Sequence, residues 1–193
     1  MRLILVFILL LLPVFATAQD NQIKFRGYDW GTSKSVILKE KGEPYYKSYN
    51  NIFYKKTIAN SYLGSTVMYI FYKDQLASGG INIDMESYGN IKITVYKDIL
   101  HLITKKYGEP TYIDTIGTTV EFKNKPEYKS YGVNKGLEKF VLWESEQSRI
   151  ELRLGSLQGI YALQAVYYSK NLYPKFKKEF DDKIDSDRIS DFE

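Results

Sequence analysis

Apolar and polar positions alternate with a period of two over much of this chain, and with helical spacing over two shorter stretches. The cleanest alternation is Ile150-Glu151-Leu152-Arg153-Leu154, which sends Ile150, Leu152 and Leu154 to a core face. Residues 66–72 read as a strand that is apolar on both sides, with Val67, Tyr69 and Phe71 facing one way and Met68, Ile70 and Tyr72 the other. Such a strand belongs in the middle of a covered sheet. After a Lys73-Asp74-Gln75 turn, 76–84 returns with Ile81 and Ile83 inward, and Gly79-Gly80 predicts a bulge or sharp bend within it. Residues 45–56 are Tyr-rich and interrupted at Asn50-Asn51. Further strands are predicted at 118–122, 138–143 and 160–168; a polar loop is predicted at 123–136. In the last strand Tyr161, Leu163, Ala165 and Tyr167 share one face, opposite Gln164.

Helical spacing occupies 33–41 and 91–106. Thr32 or Ser33 suits the N-cap of the first helix, because a hydroxyl accepts from an otherwise unpaired N–H of the first turn. Val36 and Ile37 supply its docking face, with Trp30 as cover. In the second helix Ile91, Ile93, Val95, Tyr96, Ile99, Leu100, Leu102 and Ile103 fall in one broad arc at 100° per residue. That breadth predicts deep packing, with Lys92 reaching out of the apolar arc along its stem. Both helices end alike, at Lys41-Gly42-Glu43-Pro44 and Tyr107-Gly108-Glu109-Pro110. Glycine permits the left-handed residue past a helix end and proline forbids continuation. A repeated ending followed each time by strands implies one supersecondary unit used twice. The expected fold class is therefore α+β: two related helix–antiparallel-sheet units in tandem, residues 19–88 and 89–169, with the helices packed on one sheet face.

The ends differ from the body. Arg2, the unbroken apolar run 3–12 and Ala16-Thr17-Ala18 compose a secretory signal over residues 1–18, with cleavage expected before Gln19. The run is shorter than the roughly 20 residues a membrane span needs, so no integral membrane segment is expected after cleavage, and a periplasmic or secreted location follows. Residues 170–193 form a charged tail, with Phe176 and Phe180 able to close one helical turn and a mobile stretch expected from Asp181. The sequence holds no Cys, which excludes disulfides, thiolate chemistry and anchoring through an N-terminal lipidated Cys. The 27 Lys and Arg outnumber the 23 Asp and Glu only slightly and are not clustered in a stripe, so nucleic acid is not an expected partner. The mildly basic body favours an acidic partner, such as another envelope protein. Tyrosine, at 18 residues, is the compositional outlier and suits half-buried strands.

Gly31-Thr32-Ser33-Lys34-Ser35-Val36-Ile37, followed by Gly42-Glu43-Pro44, resembles the Gly-x-Thr…Val…Gly-x-Pro signature of the β-lactamase-inhibitor-protein-like fold, which includes small outer-membrane assembly lipoproteins. The second unit keeps only its Tyr107-Gly108-Glu109-Pro110 ending. The resemblance implies helices on one face of a short antiparallel sheet, tandem copies joined into a saddle, and a role in binding other proteins.

Catalytic patterns are sparse. His101, the single His, falls in the polar arc of its helix between Lys97 and Lys105, where a surface role is expected. No phosphate loop, zinc-peptidase motif or nucleophile elbow occurs, and no cofactor is implied. Glu144 and Glu146 beside Trp143 are the one carboxylate pair that suggests a cell-wall glycan hydrolase. The same segment reads as a solvated hairpin turn. Asp185-Ser186-Asp187 lacks the glycine and terminal glutamate of a calcium loop.

The leading expectation is a non-catalytic binding protein of the bacterial envelope. Glu151, Arg153, Gln164 and Tyr168 point away from the apolar rows of their strands and are the candidate binding surface on an open sheet face. Two alternatives stand beside it: a carrier of a small apolar ligand or lipid, which needs an apolar cavity, and the carboxylate hydrolase.

Overall fold

The computed structural model describes residues 22–48, 50–58, 62–115, 137–157 and 160–190. The predicted signal segment, the 118–122 strand and the 123–136 loop lie outside these residues.

Among the described residues eight strands form one antiparallel sheet, accompanied by three helices. In chain order they are β1 (Tyr46–Lys47), β2 (Asn51–Ile58), β3 (Tyr62–Tyr72), β4 (Gln75–Asp84), β5 (Tyr112–Thr115), β6 (Leu137–Glu144), β7 (Ser148–Leu157) and β8 (Ile160–Ser169). Their order across the sheet is β1-β2-β3-β4-β8-β7-β6-β5. The two halves of the chain thus meet at the β4–β8 seam, where Ile81 pairs with Ala165 and Ile83 with Leu163. The helices are α1 (Lys34–Lys41), α2 (Lys92–Tyr107), entered through a 3-10 turn at Glu86–Ile91, and α3 (Tyr173–Ser190).

One face carries the main core. Val67, Tyr69, Phe71, Ile150, Leu152, Leu154, Leu163 and Tyr167 all point into it, as alternation predicts. α1 docks there through Ile37 and α2 through Val95, Tyr96, Ile99 and Ile103. Ser33 is the N-cap of α1, accepting from the Val36 N–H. Gly42 and Gly108 close the two helices at φ 77° and 84°, and each donates its N–H to the carbonyl four residues earlier.

Four expectations change. Val36 is 44 % exposed, so α1 docks through buried Ile37 with half-buried Leu38 beside it. The buried stripe of α2 is narrower than the apolar arc, and Ile91, Ile93 and Leu102 stay largely exposed; the helix lies on the sheet instead of being clasped. Lys92 is half-buried, with its ammonium 4.3 Å from the centroid of the Tyr161 ring on the sheet. The β4 irregularity falls at Ala77, where the register with β3 shifts between Ile70 and Phe71, and not at Gly79-Gly80. Finally, the tail is helical to Ser190 and packs on the opposite sheet face, across β3 and β4. The helices of the two expected units, α1 and α2, do share one face, and the tail adds a third helix on the other. The cause is an aromatic stripe at helical spacing: Tyr173 contacts Tyr168 with ring centroids 4.7 Å apart, then stacks in series with Phe176 and Phe180.

Residues 19–27 read as a polar lead-in, yet Ile23 and Phe25 within them are core. Ile23, Phe25 and Tyr28 are buried. Arg26 and Gly27, both at positive φ, turn the chain so that Phe25 and Tyr28 bond to each other through their backbones. Phe25 lies directly over Gly79, its ring between Tyr69 and Tyr167 at 5.1 and 5.2 Å. The glycine leaves room for a ring, not for a bend. The segment is further tied down by buried Ser148, whose hydroxyl donates to the Ile23 carbonyl and accepts from the Trp30 indole N–H at 2.7 Å.

Candidate binding surfaces

The four residues expected on an open face sit together at the centre of β7 and β8. Arg153 is the register partner of Gln164, Glu151 of Val166, and Arg149 of Tyr168. The Arg153 guanidinium donates to the Glu151 carboxylate and, at 3.1 Å, to the Tyr168 hydroxyl oxygen. The Tyr168 hydroxyl in turn donates to Glu151 at 3.4 Å. Arg149 approaches the other Glu151 oxygen at 3.7 Å and holds Glu144 at 2.9 Å, and Lys170 reaches Glu144 at 3.4 Å. Three cations and two carboxylates thus form one chain along the sheet. Burial would raise the Glu144 carboxyl, but Arg149 and Lys170 together hold it below its ordinary value. Burial also pushes the Tyr168 phenol well up, despite the opposing pull of Arg153.

The Glu151–Arg153–Tyr168 end of this cluster is interior, and its Glu144–Lys170 end reaches the surface. Glu151 is 1 % exposed and Tyr168 is buried, with the Tyr173 ring of α3 against it. The open surface expected at Glu151, Arg153 and Tyr168 is therefore not there. Alternation assigned the side correctly, but nothing within the strands signals that the C-terminal helix returns to that side.

The other chemical candidates are dispersed. Trp143 is buried in the main core and its indole donates to the Gly108 carbonyl at 3.0 Å. It faces away from Glu144, so it offers no platform beside that carboxylate. Glu146 is exposed in the β6–β7 turn, and His101 is exposed on α2 as expected. Asp185 lies within α3 rather than in a loop. Among the described residues no group of three or more His, Asp or Glu is placed to hold a metal ion, and no helix is long and apolar enough to cross a membrane.

Two features not singled out by the sequence take the cluster's place. The first is an apolar pocket of about 170 Å³ between α2 and the β4–β8 seam. Ile81, Leu163 and Ala165 form its floor, Ile99 and Ile103 its wall, and Lys106 its charged margin. Its origin is local: Ala165 is the one small residue in a row otherwise made of Tyr161, Leu163 and Tyr167. A helix that rests on the larger side chains leaves a gap above the alanine.

The second is the outer edge of the sheet at β1. Tyr45 and Tyr46 directly follow Pro44 and are 61 % and 55 % exposed. Tyr46 leans on Phe53 at 5.5 Å, and the Lys55 ammonium lies 4.8 Å above the Tyr45 ring. Lys47 is exposed beside them. Large exposed aromatic rings with cations beside them are the kind of surface that contact with a partner would bury.

No family model matches the chain, and no curated protein matches it. Among solved structures, the chain is similar to the crystal structure of a DUF4309 family protein, YjgB, from Bacillus subtilis subsp. subtilis str. 168. The two are 12 % identical, with 72 % of this chain and 78 % of that one covered and a TM-score of 0.39.

Proposed function

We propose that this chain is an exported, non-catalytic binding protein of the bacterial envelope. In this reading it is built from two related helix–sheet units, and it meets an acidic segment of another envelope protein at its tyrosine–lysine edge. The observation that carries the reading is the pair Tyr45 and Tyr46, both more than half exposed and framed by Lys47 and Lys55. Tyrosine supplies contact area at small entropic cost, and lysines supply attraction for carboxylates. The formal net charge of +4 favours the same partner. Export rests on the sequence of residues 1–18.

The two-unit reading draws support from the order of elements. Among the described residues a helix closed by a positive-φ glycine, then Glu-Pro, then four strands occurs twice, and β4 and β8, the last strand of each set, pair at the seam. The resemblance of 31–44 to the β-lactamase-inhibitor-protein-like signature points the same way.

Affinity capture from envelope extract, run in parallel with wild type and Tyr45→Ser/Tyr46→Ser, tests the role. A partner retained by wild type, lost with the variant and weakened by salt is expected. The variant should fold normally, since exposed positions tolerate substitution. Identical capture by the two proteins would remove the edge, and this reading with it.

A further inference from the structure

We propose that the pocket between α2 and the β4–β8 seam binds the hydrocarbon chain of a small anionic amphiphile, a short-chain carboxylate, with its head group at Lys106. The inference is independent of the tyrosine–lysine edge and rests on three observations.

The first is size. The pocket measures about 170 Å³. An aliphatic-lined cavity of about 150 Å³ stays dry and admits a benzene-sized molecule, so this one holds about six carbons. The second is composition. Isoleucine, leucine and alanine side chains dominate the lining, and among the described residues Lys106 is its one formal charge and no carboxylate lines it, so the described lining does not repel an anionic head group. The third is access. Leu102 lines the pocket and is nevertheless 46 % exposed, which leaves an apolar lip at the mouth. The Lys106 ammonium is placed at the same mouth, 4.8 Å from the Tyr107 ring centroid. An apolar lip beside a fixed cation separates tail from head in the order an amphiphile requires.

Affinity should therefore follow chain length and charge separately. Each buried methylene is expected to tighten binding about fourfold, and the gain should stop once about six carbons are inside.

The test is a methyl-resolved NMR titration of the full chain with butanoate, hexanoate, octanoate, decanoate and 1-octanol. Saturable shifts at Ile99, Ile103 and Leu163 are expected, with affinity rising from butanoate to octanoate and levelling by decanoate. Lys106→Gln should weaken octanoate severalfold and leave 1-octanol unchanged. Ala165→Leu, which fills the pocket from the floor, should abolish both while the melting temperature holds or rises. Ile81→Phe, filling it from the seam, serves the same purpose should the first variant unfold. Absence of saturable shifts in the wild type would overturn the proposal, as would shifts that survive pocket filling. Equal loss of octanoate and octanol in Lys106→Gln would overturn the anionic head.

Discussion

Gly79→Ala is a one-methyl change that should disturb the whole N-terminal clamp. A Cβ built on Gly79 falls 2.1 Å from a Phe25 ring carbon, where ordinary contact begins at 3.4 Å. The ring must therefore retreat by the difference, 1.3 Å. It has nowhere to go, because Tyr69 and Tyr167 flank it and its backbone is bonded to Tyr28 at 3.0 Å. If the ring stays and the surroundings strain, the cost is about 1–3 kcal/mol. If it is expelled, the loss approaches the ~3–5 kcal/mol of deleting a buried phenylalanine. Replacing glycine restricts the unfolded chain and returns about 0.4–1 kcal/mol. A net loss near ~3 kcal/mol corresponds to a melting temperature lower by about 6–12 °C for a chain of this size. Urea unfolding of wild type, Gly79→Ala, Phe25→Ala and the double variant closes a thermodynamic cycle. With Phe25 already truncated, Gly79→Ala should cost nothing or stabilise slightly, giving a coupling of at least ~1 kcal/mol. Additive losses, or a Gly79→Ala protein as stable as wild type, would refute the reasoning that the glycine exists to seat the ring.

The buried cluster and the helix endings give two further expectations. Glu151→Gln leaves the Arg149 and Arg153 guanidiniums without their shared buried carboxylate and should cost about 3–5 kcal/mol in denaturant unfolding, nearer the lower figure because Glu144 still pairs with Arg149; a neutral substitution would show that the cluster is hydrated. Gly42 and Gly108 occupy a backbone region nearly closed to other residues, at φ 77°, ψ −165° and φ 84°, ψ −173°. Alanine at either should cost about 1–3 kcal/mol, and related units predict matching losses by calorimetry, whereas a loss at one site and none at the other would break their equivalence.

Strands and helix endings were legible because their causes are local. Ile150, Leu152 and Leu154, assigned to the core from alternation alone, are each fully buried, and glycine followed two residues later by proline marked both helix ends. What escaped is set by contacts between distant parts of the chain. Phe25 looks like one aromatic in a polar lead-in until Gly79 is seen beneath it, and Ser148 looks like a turn residue until Trp30 bonds to it from 118 positions away. Glu151 and Arg153 were placed on the correct side of the sheet but in the wrong medium. Pleating fixes which side a residue takes; whether water remains there depends on α3, of which the sequence reading takes only Phe176 and Phe180, as a single turn, and leaves out Tyr173.

The cover on the two faces decides where binding can occur. Strands β3, β4, β7 and β8 have apolar packing on one side, and on the other they carry α3 or the Glu151 ion cluster. A partner at that centre would have to displace a helix or strip a buried carboxylate from its guanidiniums, either of which costs several kcal/mol. Contact area that requires no such displacement lies where the cover ends. At β1 it is aromatic and cationic; beside α2 it is an aliphatic hollow with a lysine at its mouth. Both features arise from short-range choices, tyrosines after a helix-ending proline and an alanine in a row of larger residues. The tyrosines can be replaced at exposed positions without touching the core, whereas the hollow is closed only from within the core, at Ala165.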